Sequence, residues 1–199
     1  PEEPSQQGIA TFYGGTVDGG ACGYDTLPTA SFPFGYQVAT GGFGVGSTFD
    51  NGYGCGACFE ISCQDSMESC KCDGLSKKVV VQVTDRCLEC GSSHIDMNVA
   101  SFEEITGKEI TGNDVCEPIR MTYRRVDCDF QGDIKIRSKA KSSEYWYGLH
   151  VDRVAGYGTL NSVKLRQASS RELGRMEFDI NCDKSGGASD RKSTRLNSS

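Results

Sequence analysis

The chain carries 11 cysteines in 199 residues, and all but Cys182 lie before residue 129. That crowding limits the folds open to it. With 25 glycines, and only 37% hydrophobic and 9% aromatic residues, the core is modest and must be stapled. Such a composition reads as an oxidised, extracellular protein held by disulfides. A net charge of -6 argues against nucleic acid as a partner and for a neutral or weakly charged ligand. No apolar run approaches the roughly 20 residues of a membrane helix, so no membrane partner is expected. The opening PEEPSQQG reads as a polar lead-in, with any leader expected to have been removed ahead of it. Cys55-x-x-Cys58 and Cys87-x-x-Cys90 together have the form of a four-cysteine zinc site. The oxidised composition favours disulfides instead, and neither a metal nor another cofactor is expected. The odd total leaves at least one free thiol or an intermolecular bond, and Cys182 is the orphan the sequence points to.

Within the cysteine-rich part, Val79–Met97 organises the rest. Val79, Val80, Val81 and Val83 form a β-branched run, expected to be a strand buried on both faces and ending at Thr84-Asp85. A Cys87–Cys90 loop follows. The chain returns through His94-Ile95-Asp96 into a short helix. One excursion from a rigid strand thus delivers two carboxylates, Asp85 and Asp96, which suits carbohydrate chemistry or carbohydrate gripping. Taken singly, Asp85 could be a turn residue and Asp96 a helix-start residue.

Around this stretch the pattern is mainly β. Gly8–Tyr13 is a short strand ending in an exposed Thr11-Phe12-Tyr13. Leu27–Asn51 is rich in Gly, Pro and aromatics and is expected to wall a cleft. Alternation through Cys55–Cys63 puts Phe59 and Ile61 on one face and Cys58, Glu60 and Ser62 on the other. Asn98 or Asp96 caps a helix whose apolar face is Val99, Phe102 and Ile105, and Gly107 ends it. Ile119, Met121 and Tyr123 alternate with Arg120, Thr122 and Arg124. Val126 breaks the phase, which predicts a bulge near Arg125. Short strands with one helix point to a closed barrel or a sandwich.

A boundary is expected near Phe130–Gly132. Beyond it Ile134 and Ile136, then Tyr145, Tyr147, Leu149 and Val151, then Val163 and Leu165, then Met176, Phe178 and Ile180 alternate with polar residues. They predict an incomplete antiparallel β-sandwich over residues 132–182. Trp146 falls on the face opposite Tyr145 and Tyr147, as a core residue or a sugar-stacking platform. His150 is expected to be a surface or half-buried histidine. With two histidines and His94 set against Asp96, no Ser-His-Asp triad is expected. Residues 183–199 are polar and patternless, expected to be a disordered or non-native tail. No internal repeat is present.

Five motifs in order, GGACGY (Gly19–Tyr24), GCGACFEISC (Gly54–Cys63), VTD (Val83–Asp85), HID (His94–Asp96) and YRRVDC (Tyr123–Cys128), resemble the expansin family. The resemblance spans about residues 8–180. It implies a six-stranded double-psi β-barrel over residues 8–129, of the kind shared with family-45 endoglucanases. The YWYGLHV and GYG segments resemble part of the expansin C-terminal cellulose-binding β-sandwich, where Trp146 or Tyr157 would stack on sugar. The resemblance makes Thr11, Tyr13, Asp18, Asp85 and Asp96 the polysaccharide-binding residues of the cleft. Asp96 corresponds to the general acid of the related endoglucanases. Ile95 stands where the family has an aromatic, and Met97-Asn98 where it has Leu-Ser. Disulfides Cys22–Cys55 and Cys58–Cys128 are implied, with Cys63 paired to Cys72 or Cys70. Cys87 and Cys90 pair with each other or with Cys70 or Cys116.

An inverting glycosidase needs a second carboxylate about 6.5–9.5 Å across the cleft. The related endoglucanases carry it just after the Thr-x-Tyr strand, where this chain has Gly15. The resemblance places Asp85 beside Asp96, not opposite. It therefore implies a secreted, monomeric, cell-wall protein, not an enzyme, that binds cellulose, xylan or mixed-linkage glucan and loosens it without hydrolysis. The alternatives are a glycan-cleaving enzyme, endoglucanase or lytic transglycosylase, using Asp96 as acid, and a cleft-bearing binding module.

Overall fold

The structure is a computed structural model that describes residues 3–14, 20–24, 37–41, 48–64, 72, 78–111, 117–130, 132–143, 145–160, 162–167 and 176–181. Asp18, Gly15, Cys70, Cys116, Cys182, most of the expected aromatic wall and the 183–199 tail lie outside the described residues.

Six strands close a barrel: β1 (Gln6–Tyr13), β2 (Gln37–Gly41), β3 (Cys58–Cys63), β4 (Lys78–Cys87), β5 (His94–Asn98) and β6 (Ile119–Val126), in the order β1-β5-β2-β4-β3-β6. β1 with β5 and β2 with β4 run parallel, and the other four pairings are antiparallel. This is the expected double-psi arrangement. Closure leaves the barrel no open edge.

Alternation decides what fills it. Ala10, Ile61, Val81, Val83, Ile95 and Met97 are all 0% exposed and share one core with Met121 and Tyr123. The strand from Val79 continues past the expected end at Thr84-Asp85, through Arg86 to Cys87, because Thr40 and Gly41 of β2 still pair with Arg86 and Cys87. No bulge occurs near Arg125. The β3–β6 register runs unbroken from Cys58 opposite Val126 to Cys63 opposite Met121. Val126 is apolar out of phase because it packs outside the barrel, with Val80, against Cys58, Cys128 and Phe130. The irregularity lies elsewhere, where Val38 faces Val83 but Ala39 faces Asp85.

Helix α1 (Val99–Thr106) starts where the sequence places it. The Asn98 side chain accepts from Ser101 N at 3.2 Å, and Gly107 ends the helix at φ 72°. Phe102 and Ile105 are buried, and the ring of Phe12 lies 5.0 Å from that of Phe102.

The expected disulfides Cys22–Cys55, Cys58–Cys128 and Cys63–Cys72 are formed, and Cys87 pairs with Cys90. All four cysteines of the zinc reading are therefore disulfide-bonded, and that reading is wrong. No cluster of three or more metal-ligating side chains occurs among the described residues.

After the barrel, β7 (Lys135–Ser138) pairs with β8 (Leu149–Asp152), and β9 (Ser162–Gln167) with β10 (Met176–Asn181). Among the described residues these form two separate two-stranded sheets. His150 is not at the surface. It is 2% exposed, its ring edge-on to Tyr24 at 4.8 Å, with Arg137 donating to Nδ1 at 3.0 Å.

Replacing Asn98 with Ala leaves the Ser101 N–H without its cap and is expected to cost about 0.5–2 kcal/mol, with Asn98→Asp close to neutral. Urea midpoints of the two variants measure this.

Candidate functional site: a carboxylate-lined wall on the barrel exterior

The site follows from strand register. In β1 and β5, Ala10 faces Ile95 and Phe12 faces Met97, all directed inward, so Thr11 and its partner Asp96 are turned outward. In β5 and β2, Asp96 faces Ala39. In β2 and β4, Ala39 faces Asp85. Directly opposed residues share a sheet face. Thr11, Asp96, Ala39 and Asp85 therefore form one row across four strands.

Asp85 joins that row only because β4 carries one extra residue. Val83 is a core residue. Strict alternation would send Thr84 out and Asp85 in. The shift at Thr84 reverses this and turns Asp85 to the face of Asp96. The two carboxylates lie on the same wall, on either side of β2, with about 10 Å between their Cα positions from two strand spacings.

Each is held differently. Asp85 Oδ1 accepts from Ala21 N at 2.6 Å and Arg86 N at 2.7 Å. This ties the Cys22 loop to β4. Gly20 makes the approach possible, since a Cβ there would come within 2.8 Å of Thr84 O and 2.9 Å of Asp85 Cγ. Asp96 Oδ1 accepts from Thr11 Oγ1 at 2.6 Å, and that hydroxyl is also 2.8 Å from His94 Nε2.

Tyr13 lies one step along β1, opposite Asn98. Its Oη is buried and makes no hydrogen bond to the described residues. Burial, then the charges of Asp85 and Asp96, push its pKa far up, so the phenol keeps its proton and remains a donor. Leaving such a donor unmet costs about 1–3 kcal/mol, which a ligand oxygen would relieve. Burial, more than the opposing pull of Asp96 and Glu117, lowers the pKa of His94.

Of the residues expected from sequence, the structure brings Thr11, Tyr13, Asp85 and Asp96 together. Trp146 and Tyr157 are placed by other contacts. Residues 145–148 precede β8, so strand alternation does not govern them. Trp146 is half-buried with its ring against Gly148, while Tyr145 is 78% exposed. Tyr157 lies under the Arg125 guanidinium, 5.1 Å from the ring centroid. Sequence reasoning missed Glu117, whose carboxylate accepts from Phe12 N at 3.2 Å and acts on His94. It stands outside any periodic pattern, just before Pro118, and no sequence signal marked it. The bond from His94 to Thr11 was also missed.

A barrel of this topology, with paired outward carboxylates and a tyrosine on one wall, is that of the double-psi β-barrel proteins. A family model described as lytic transglycolase matches residues 43–115. Expansin-B3 of Arabidopsis thaliana is 33% identical over 177 residues, covering 82% of this chain and 62% of the relative. Expansin-B11 of Oryza sativa subsp. japonica is 31% identical, covering 80% of this chain and 55% of the relative. A crystal structure of apo expansin from Clavibacter michiganensis aligns with a TM-score of 0.57 at 23% identity, covering 82% of this chain and 69% of that one. A mutant of that expansin, in complex with cellohexaose, aligns at 0.58 and 23% identity, covering 84% and 71%. The chain belongs to the expansin family. It spans about three fifths of the length of the relatives named.

Gly20→Ala should displace Asp85 or the Cys22 loop and cost about 1–3 kcal/mol, the range of an overpacking substitution. Thermal unfolding measures it, and a neutral result would mean the loop yields freely. His94 gives a second expectation. Its lowered pKa means the unfolded chain takes up the proton first as pH falls below about 6.5, so stability falls with it. His94→Gln should flatten that dependence, read from urea midpoints at about pH 7.5 and about pH 5.5.

Proposed function

We propose that the Thr11–Tyr13–Asp85–Asp96 wall grips a strand of cell-wall polysaccharide, cellulose, xylan or mixed-linkage glucan, and loosens it without cutting a bond. The observation that carries this is the single row shared by Asp96 and Asp85. Two carboxylates on one wall, one of them occupied by backbone N–H groups, suit acceptance of sugar hydroxyls. Hydrolysis with inversion asks for a base on the opposite side of the sugar, about 6.5–9.5 Å away. The position after the Thr-x-Tyr strand where that base belongs is Gly15. Tyr13 supplies the complementary donor.

The expansin relatives and the cellohexaose complex of the Clavibacter michiganensis mutant support the ligand class. The disulfides support an extracellular, cell-wall setting. Asp18 would extend the grip, and of the two stacking candidates in the second half of the chain Trp146 would add stacking in preference to Tyr157, whose ring lies under Arg125. The match to lytic transglycolase supports one competing reading, because that chemistry needs a single acid/base carboxylate, which Asp96 would be.

A paired assay separates them. Purified protein and its Asp96→Ala variant are tested for creep of a cellulose–matrix composite and for sugar release from soluble and insoluble glycans. Creep without release, weakened at least tenfold in the variant, is the expected outcome. Release that disappears in the variant would establish cleavage and end the non-hydrolytic reading.

A further inference from the structure

A hydroxyl has one proton to donate, and that count gives direction to a three-residue chain on the cleft wall. Thr11 Oγ1 lies 2.6 Å from Asp96 Oδ1 and 2.8 Å from His94 Nε2. An ionised carboxylate only accepts, so the Thr11 proton goes to Asp96. The same oxygen then accepts from His94, which requires the imidazole proton on Nε2. Parallel pairing of β1 and β5, with Ile9 opposite His94 and Thr11 opposite Asp96, sets all three side chains on one face.

We propose that His94 is a positioning residue that, through Thr11, keeps Asp96 ionised and oriented, and so sets the acid limit of glucan binding by the cleft. This rests on the glucan-gripping reading above. If Asp96 took up a proton and gave it to Thr11, Thr11 would have to donate to His94. Nε2 would then need a lone pair, and the neutral ring would have to carry its proton on Nδ1. A proton on Oδ1 therefore demands either a change of tautomer or the loss of a hydrogen bond, and a proton on Oδ2 leaves Oδ1 a neutral and weaker acceptor for Thr11, so in both cases the chain favours the ionised carboxylate. A doubly protonated imidazole still donates from Nε2, so His94 supports the ionised carboxylate in both of its own charge states.

The groups acting on the ring are Asp96 on its own strand, Thr11 from β1 and Glu117 from the segment before β6. Glu117 is fixed by its bond to Phe12 N. Both carboxylates favour imidazolium and burial opposes it more strongly, which leaves the neutral ring at neutral pH. Tyr13 and Asp85 bear on Asp96 from the same face.

The first test needs no ligand. The chain has two histidines, so long-range proton–nitrogen NMR resolves both rings, and His94→Gln assigns them. The expected result at neutral pH is the Nε2–H tautomer for His94. A proton on Nδ1 alone would overturn the proposal. The second test follows cellohexaose binding against pH in wild type, His94→Gln, His94→Leu and Thr11→Val. Glutamine can donate to Thr11 but lacks the imidazolium charge, so it should move the acid midpoint less than His94→Leu does. His94→Leu should raise that midpoint by up to about one pH unit, the size expected for losing one ordinary hydrogen bond. Thr11→Val should shift it equally, and the double variant no further.

A uniform loss of affinity at every pH in His94→Leu would show a structural role only and would overturn the proposal. Should His94→Leu fail to fold, Thr11→Val carries the same comparison. If wild type binds no cellohexaose at any pH, the glucan reading fails alone. Carbon NMR titration of the Asp96 carboxyl then decides the relay, by an upward shift of its midpoint in His94→Leu or by none.

Discussion

One extra residue in β4 puts Asp85 on the same wall as Asp96. A β-barrel of this size has no room for two carboxylates inside, and its alternation is strict. Val79, Val81 and Val83 point inward to fill the core. Continued without interruption, the same rhythm would bury Asp85. The shift opposite Ala39 absorbs Thr84 and reverses the rhythm for the last residues of the strand. Core packing and charge presentation thus follow one another along a single strand without conflict. The Asp85 half of the site depends on that reversal. Ala21 can reach Asp85 only from outside the barrel, and Tyr13 meets the field of both carboxylates only because they share its face.

The staples act on this arrangement at different ranges. Cys58–Cys128 closes a loop with a sequence separation of 70 and Cys22–Cys55 one of 33. Chain-entropy reasoning assigns such long loops about 3–5 kcal/mol each, a large share of the net stability of a chain with a modest core. Cys87–Cys90 spans a separation of 3 and removes far less entropy. Its effect is local, closing the turn between the strand that carries Asp85 and the strand that carries Asp96. Cys22–Cys55 does similar local service, holding the loop whose Ala21 N–H binds Asp85.

Much of this was legible before any coordinates. The Asn98 cap, the Gly107 stop, the inward Phe59–Ile61 face and the Thr11, Tyr13, Asp85 and Asp96 cluster follow from short-range pattern or from the ordered motifs. The bulge was not legible, and its misplacement is instructive. Val126 looked out of phase because an apolar side chain was assumed to point into the barrel, whereas it joins Val80, Cys58 and Phe130 in a second cluster outside. Phase reading assumes one core and fails where a closed barrel has a covered exterior. The true irregularity at Thr84 left no hydrophobic signal, because threonine and aspartate are both polar. His150 failed for a related reason. A histidine in an alternating strand reads as surface unless its partners are known, and Tyr24 and Arg137 are far from it in sequence.

Among the described residues the covered exterior also marks which side of the barrel stays open. Glu60 bridges Arg124 and Lys78 across β3, β6 and β4, and the cluster around Cys58–Cys128 closes the end of that face. Cys128 then pairs with Gly156, Arg125 donates to Tyr157 O at 3.2 Å and Thr159 Oγ1 at 3.1 Å, and Gly158 comes so close to Gly56 and Cys128 that a Cβ would collide. Gly158 also has φ 72°, a conformation glycine adopts without strain. Residues 156–159 are thus seated on the β3–β6 side, and Arg125 covers Tyr157 there. A glucan meeting the β1-β5-β2-β4 wall would find Thr11, Tyr13, Asp85 and Asp96, with the tyrosine ring of the 156–158 turn already occupied by a cation. Any stacking surface that the second half contributes is therefore better sought in Tyr145 and Trp146, whose rings remain exposed or half-exposed.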